Sequence, residues 1–231
     1  MKSGNIVYVG IFFMVLPLFF SCTDFFSTSL ASWAARSPDS LIPTVTAGNV
    51  DELIANSENN PDMSLAVLKK IEDALKNAGS GEASALQAAA LGAAANASGF
   101  GSAILNKADD ISKIMEDKDN AKGMVVDAIQ DMPNLKETSE TLTTILPKPG
   151  TGEFDAFVEK ANPDDLATAA AVLLAAEAKG KENYIDTFDP GAADTESAKL
   201  AVELARAASR KYEEDNSTGR LKDILEGLNL V

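Results

Sequence analysis

The sequence predicts an all-α domain, a helix-hairpin array or bundle, carried behind an N-terminal signal and a tether. Three observations predict it. Hydrophobic residues make up 45% of the chain, much of it alanine, while aromatics make up only 6%. Alanine is the best helix former, and the Val/Ile/aromatic runs that favour strands are scarce. Apolar residues recur at spacings of three and four through most of the chain after residue 47, and proline, glycine and asparagine divide it into pieces of helical length.

The first element is the N-terminal segment. Lys2 is the only charge before Asp24, and Ile6 to Phe20 is almost wholly apolar. A short basic stretch followed by an apolar one is the layout of a secretory signal. A spanning helix needs about 20 apolar residues. This run is shorter, contains Pro17, and ends at Ser21 beside Cys22, the only cysteine in 231 residues. The stretch Leu18-Phe19-Phe20-Ser21-Cys22 resembles a bacterial lipobox, with Phe19 and Phe20 replacing its usual aliphatic and small residues. That loose form is similar to the boxes of spirochaetal, especially treponemal, lipoproteins.

The resemblance implies removal of residues 1–21, acylation of Cys22 by palmitate-type chains, and a lipidated tether over 22–46. It further implies a place at the cell membrane or outer membrane, facing the periplasm or the exterior. The alternative is an uncleaved anchor with a buried Cys22. Each buried methylene contributes about 0.8 kcal/mol, so two or more acyl chains hold firmly where one does not. Acylation also consumes the thiol, leaving none for a disulfide, thiolate catalysis or metal. Some lipoproteins of this kind are helical-repeat partners of periplasmic solute-uptake systems.

Charge and composition narrow the function. Cleavage after Ser21 removes one lysine and no acid, taking the net charge from −15 to −16 and leaving 210 residues. Such a surface repels nucleic acid and anionic headgroups, so no nucleic-acid partner is expected. Histidine is absent, which removes the commonest general base and metal ligand. No P-loop or dinucleotide fingerprint occurs. The acidic stretches from Asp117 and from Asp186 are out of register for a calcium loop and read as solvated loops. No metal or other cofactor is expected, and no catalytic residue is assigned.

After the tether, where Phe26, Leu30 and Trp33 form a short helical stripe, Pro38 and Pro43 break any helix. Asn49 and Glu52 form a variant capping box at the start of "NVDELIANS". Pro61 suits the first turn of the next helix, which has Leu68, Ile71 and Leu75 on one face and Gly79 and Gly81 at its end. "EASALQAAALGAAANAS" is a helix of small residues, and Gln87 and Asn96 mark it as a core helix rather than a span. Ile104, Ala108, Ile111 and Met115 define another, and Val125, Ile129 and Met132 a further one closed by Pro133. "NLKETSETLTTIL" is a weaker helix. Residues 147–152 are the clearest break.

Beyond that break the sequence echoes itself, with possible duplicated halves at 47–146 and 153–231. Each half gives a short helix, an Asn-Pro-Asp turn and a long helix stopped by glycine. Asn60 and Asn162 lie 102 residues apart, three times the 34-residue period of tetratricopeptide repeats, to which the units are similar although the Trp/Leu-Gly/Tyr pattern is missing. Convergence of two amphipathic helix pairs is the other account. The closing helix carries Leu221, Ile224, Leu225 and Leu228 and caps the array. In this alignment Glu177 stands opposite Leu75. A carboxylate in a core position is desolvated and a candidate ligand-binding acid; alternatively, the last turn emerges into solvent. The sequence thus points to a lipid-anchored envelope protein with a protein partner, with binding of a small apolar or organic ligand as the second reading and a carboxylate-dependent enzyme as the third.

Overall fold

The computed structural model describes residues 37–101, 129–181, 183–215, 221–222 and 225. Cys22 and the signal segment, the 26–33 stripe, the helix through Ile104–Met115, the Asp117 stretch, Val125, Ile224 and Leu228 lie outside the described residues. The chain divides into two units, Met1–Leu41 and Ile42–Val231. Of the first, residues 37–41 are described, as a 3-10 turn over Pro38–Ser40.

The second unit is all-α. Among the described residues it holds eight α-helices and no strand: α1 (Val50–Ser57), α2 (Pro61–Leu75), α3 (Ser80–Ala97), α4 (Leu135–Ile145), α5 (Gly152–Lys160), α6 (Pro163–Ala178), α7 (Tyr184–Thr187) and α8 (Glu196–Glu214). Its core begins upstream of α1, since Val45 is buried and Ile42 packs against the cluster. Both residues fall within the 22–46 tether that the sequence predicts, so the core extends into it.

Side-chain caps set four of the eight described helix starts. Asn60 and Asn162 cap α2 and α6, accepting from Met63 N at 3.1 Å and Asp164 N at 2.8 Å, each with proline as the next residue. Thr151 and Thr195 cap α5 and α8 in the same manner. The side-chain oxygen satisfies an amide that has no partner inside the helix. Asn49 departs from the expected box. Its Oδ1 accepts from Thr46 N at 2.8 Å and its Nδ2 donates to the Thr44 carbonyl at 3.0 Å, so it fastens the preceding turn. Gly79 and Gly81 differ as well: Gly79 is the N-cap of α3 and Gly81 lies in its first turn. Gly180, at φ +77°, follows α6 in the left-handed conformation that glycine adopts without a Cβ clash.

The long helices stand in a row, α2–α3–α6–α8, each packing chiefly on its neighbours. Among the described residues no extensive contact joins α2 to α8. In α6 every residue from Leu166 to Ala175 is buried, as required of a helix that is apolar all round. Alanine makes this possible, because small side chains let α3, α6 and α8 approach closely.

Helix α4, weak by propensity, touches all four members of the row. It buries Leu135, Leu142 and Ile145 together with Thr138, Ser139 and Thr141. Polar bonds fix it to three of them. Asn134, its left-handed N-cap residue at φ 49°, donates to Asp62 Oδ1 at 3.0 Å. Gln87 Nε2 of α3 donates to the last carbonyl of α4, on Ile145, at 2.9 Å. Ser139 meets Ser197 of α8 at 3.2 Å between hydroxyl oxygens. Leu225 is buried and Leu221 packs against the core.

Candidate functional site

Glu177 lies in the last turn of α6, where the chain leaves for the segment leading to α8. Its side chain is 16% exposed, so it neither emerges fully into solvent nor stands unpaired in the core. Oε1 accepts from the Thr195 hydroxyl at 2.9 Å, and Oε2 faces Lys181 Nζ at 3.2 Å. Thr195 in turn caps α8 through Ala198 N at 3.0 Å. One carboxylate thus joins the end of α6 to the start of α8. Leu75 is partly buried too, and packs apolar surface where Glu177 makes polar bonds.

Around Glu177 is an open cleft of about 510 Å³ between α4, the end of α6 and the start of α8. Lys136, Lys179 and Lys181 line it with Ser139, Thr143, Thr144 and Ser197. Its polar groups are already engaged: Lys179 donates to the Met132 carbonyl at 3.1 Å, and Thr143 and Thr144 donate to carbonyls one turn back. Lys181 also lies 4.6 Å from the centre of the Tyr184 ring. Burial, then the charges of Glu177 and Asp194, push the Tyr184 hydroxyl above its ordinary pKa. This arrangement holds two helices and a turn in register. Among the described residues no cluster of three or more His, Cys, Asp or Glu side chains is placed to hold a metal.

A second polar constellation, unforeseen in the sequence, sits at the far end of α8. Lys211 Nζ donates to the carbonyls of Val158, Glu159 and Ala161 at 2.8, 3.2 and 2.6 Å, closing the C-terminus of α5. The next residue, Tyr212, is buried and donates to Asp164 Oδ1 in the first turn of α6. Burial first, and then that carboxylate, push the Tyr212 pKa far above the tyrosine range. Asp165 beside it is raised as well, by desolvation and by the charge of Asp164. Two adjacent residues of α8 therefore grip the α5–α6 turn from both sides. Sequence offered one signal: "NPDD" places two carboxylates where a helix N-terminus favours them. Nothing in "SRKYEE" named their partner.

On the exposed face of α8, Glu203 pairs with Arg206 at 2.6 Å and Lys199 with Glu196 at 3.3 Å. No described helix is long and apolar enough to cross a membrane. The fold and these sites define the class as an all-α domain whose open polar clefts are tied by caps and ion pairs. Comparison with protein-family models, curated proteins and solved structures returned no match.

Proposed function

We propose that this chain is a lipid-anchored envelope lipoprotein whose helical domain serves as a protein-interaction scaffold. The observation that carries the reading is the position of Cys22, the only cysteine, next to a small residue at the end of a short apolar run. Acyl chains there would hold at a membrane a domain whose own acidic surface does not favour one. The scaffold part draws support from the row of long helices and from clefts that are open and polar. An enclosed apolar cavity would instead favour the small-ligand reading, and the described clefts are not of that kind.

A tetratricopeptide-like duplication belongs to the same proposal. The matched caps at Asn60 and Asn162, and the hairpins α2–α3 and α6–α8, support it. The halves also differ: residues 76–79 join the first hairpin, whereas 179–195, with α7, join the second. Moreover, α1 packs on α2 and α3, while α5 packs across onto α3. The anchor is tested by Cys22→Ala in the native envelope. The variant is expected to fold, to lose metabolic palmitate label and to leave the membrane in a carbonate wash. Retention through that wash would sink the lipobox reading.

A further inference from the structure

Residues 76–79 suffice to join α2 to α3, whereas 179–195 join α6 to α8. The longer connector holds the single turn α7 and a 3-10 turn over Pro190–Ala192. Among its described residues Ile185 alone is buried, at 5% exposure, while Tyr184, Phe188 and Ala193 pack partly against the core. Helix α7 makes no extensive contact with any other described helix.

The connector is held at its ends. Among the described residues every hydrogen bond of 183–194 closes within that stretch, as from Thr187 N to the Asn183 carbonyl at 3.1 Å and from Ala192 N to the Asp189 carbonyl at 3.0 Å. Both ends are fastened to one carboxylate: Lys181 Nζ donates to Glu177 Oε2 at 3.2 Å, and the Thr195 hydroxyl donates to Oε1 at 2.9 Å. Lys181 extends the tie to the Tyr184 ring, 4.6 Å away. Gly180 at φ +77° and Asn183 at φ 58° place two left-handed residues where the chain enters. A compact surface loop with its ends held together, few buried side chains and self-contained hydrogen bonds belongs to the low-stability end of a fold.

We infer that residues 181–195 form a strap that opens and recloses as a unit while the rest of the domain stays folded, with Glu177 as its latch. Opening parts Lys181 and Thr195 from Glu177, widens the cleft that all three line, and brings Tyr184, Ile185 and Phe188 to the surface. Large hydrophobics are otherwise nearly absent from the described exterior, Leu41 being the one exposed instance. The strap is therefore a gate on the apolar surface the domain can offer. Neither the lipid anchor nor a scaffold role is needed for it.

Native-state hydrogen exchange on the full chain tests it, read at the Thr187 and Ala192 amides for the strap and at the Leu173 and Leu174 amides of α6 for the core. In the wild type the strap amides should be protected, and their exchange should stay flat in low urea while that of α6 quickens, because a local opening exposes little surface. Lys211→Met weakens the domain from the far end of α8. It should quicken the α6 amides more than about tenfold and the strap amides less than about twofold, since the strap opens from the folded state. Glu177→Leu should quicken the strap amides about fivefold, as loss of a partly exposed bond to a charged group implies. Strap amides without protection, strap amides that follow α6 in urea or in Lys211→Met, or a strap indifferent to Glu177→Leu would each overturn the inference. Should Lys211→Met fail to fold, the urea series on the wild type decides between local and global opening by itself.

Discussion

Lys211→Met tests how much of the domain's stability depends on the far end of α8. Methionine keeps an unbranched apolar stem of similar reach, so the change removes the ammonium with little loss of packing. Three carbonyls lose their donor. Those of Val158 and Ala161 are part-buried at 2.8 and 2.6 Å, while that of Glu159, at 3.2 Å, is exposed and returns to water at little cost. A lost hydrogen bond to a charged group costs about 1.5–3 kcal/mol when buried. Halved for partial solvation, the two part-buried bonds together come to about 2 kcal/mol. Loss of a cation at the α5 C-terminus adds a few tenths, about 0.5 kcal/mol. In urea, with an m-value of about 2 kcal/mol/M, the midpoint should fall by about 1 M. Lys199→Met, which breaks only an exposed pair, should shift it by less than about a quarter of that. A Lys211→Met midpoint within error of wild type would refute the reasoning, because those carbonyls would then be as well served by water.

Three other substitutions bear on the core and the cleft. Thr138 is fully buried, and its Oγ1 has no partner among the described residues; isosteric Thr138→Val should gain about 1 kcal/mol by removing an unsatisfied hydroxyl, and a loss of stability would show that the hydroxyl has a partner. Glu177→Leu should cost about 1 kcal/mol, since Thr195 loses its acceptor and the α6–α8 tie is cut; a clear gain in a chemical denaturation curve would return Glu177 to the class of unpaired buried acids. The raised Tyr212 pKa makes a stability contribution that is complete below the ordinary tyrosine pKa of about 10 and is lost as pH climbs toward the folded value. Tyr212→Phe should therefore be less stable at pH 8 and lose less stability than wild type between pH 9 and 11, with parallel pH profiles counting against a protonated Tyr212–Asp164 bond.

The sequence by itself determined what local chemistry can determine. Composition and spacing set the all-α class, and Asn60-Pro61 and Asn162-Pro163 fixed two helix starts, because an N-cap and the proline after it act within a single turn. Tertiary structure decided the rest. Residues 166–175 read as part of an amphipathic helix, yet packing on both neighbours leaves every one of them buried. Residues 135–145 read as a weak helix because threonine and serine have modest helix propensity, yet packing makes α4 the element that touches all four long helices. Thr141, Thr143 and Thr144 donate to carbonyls one turn back, but Ser139 meets its partner, Ser197, 58 residues away. Asn49 looked like a cap and instead bonds back to Thr44 and Thr46, because the turn before it offers both a donor and an acceptor. Nothing near them in the sequence marks Lys211 and Tyr212. They are partners of the α5–α6 turn, since hydrogen bonds spanning about fifty residues depend on where the helices dock, which no local spacing encodes.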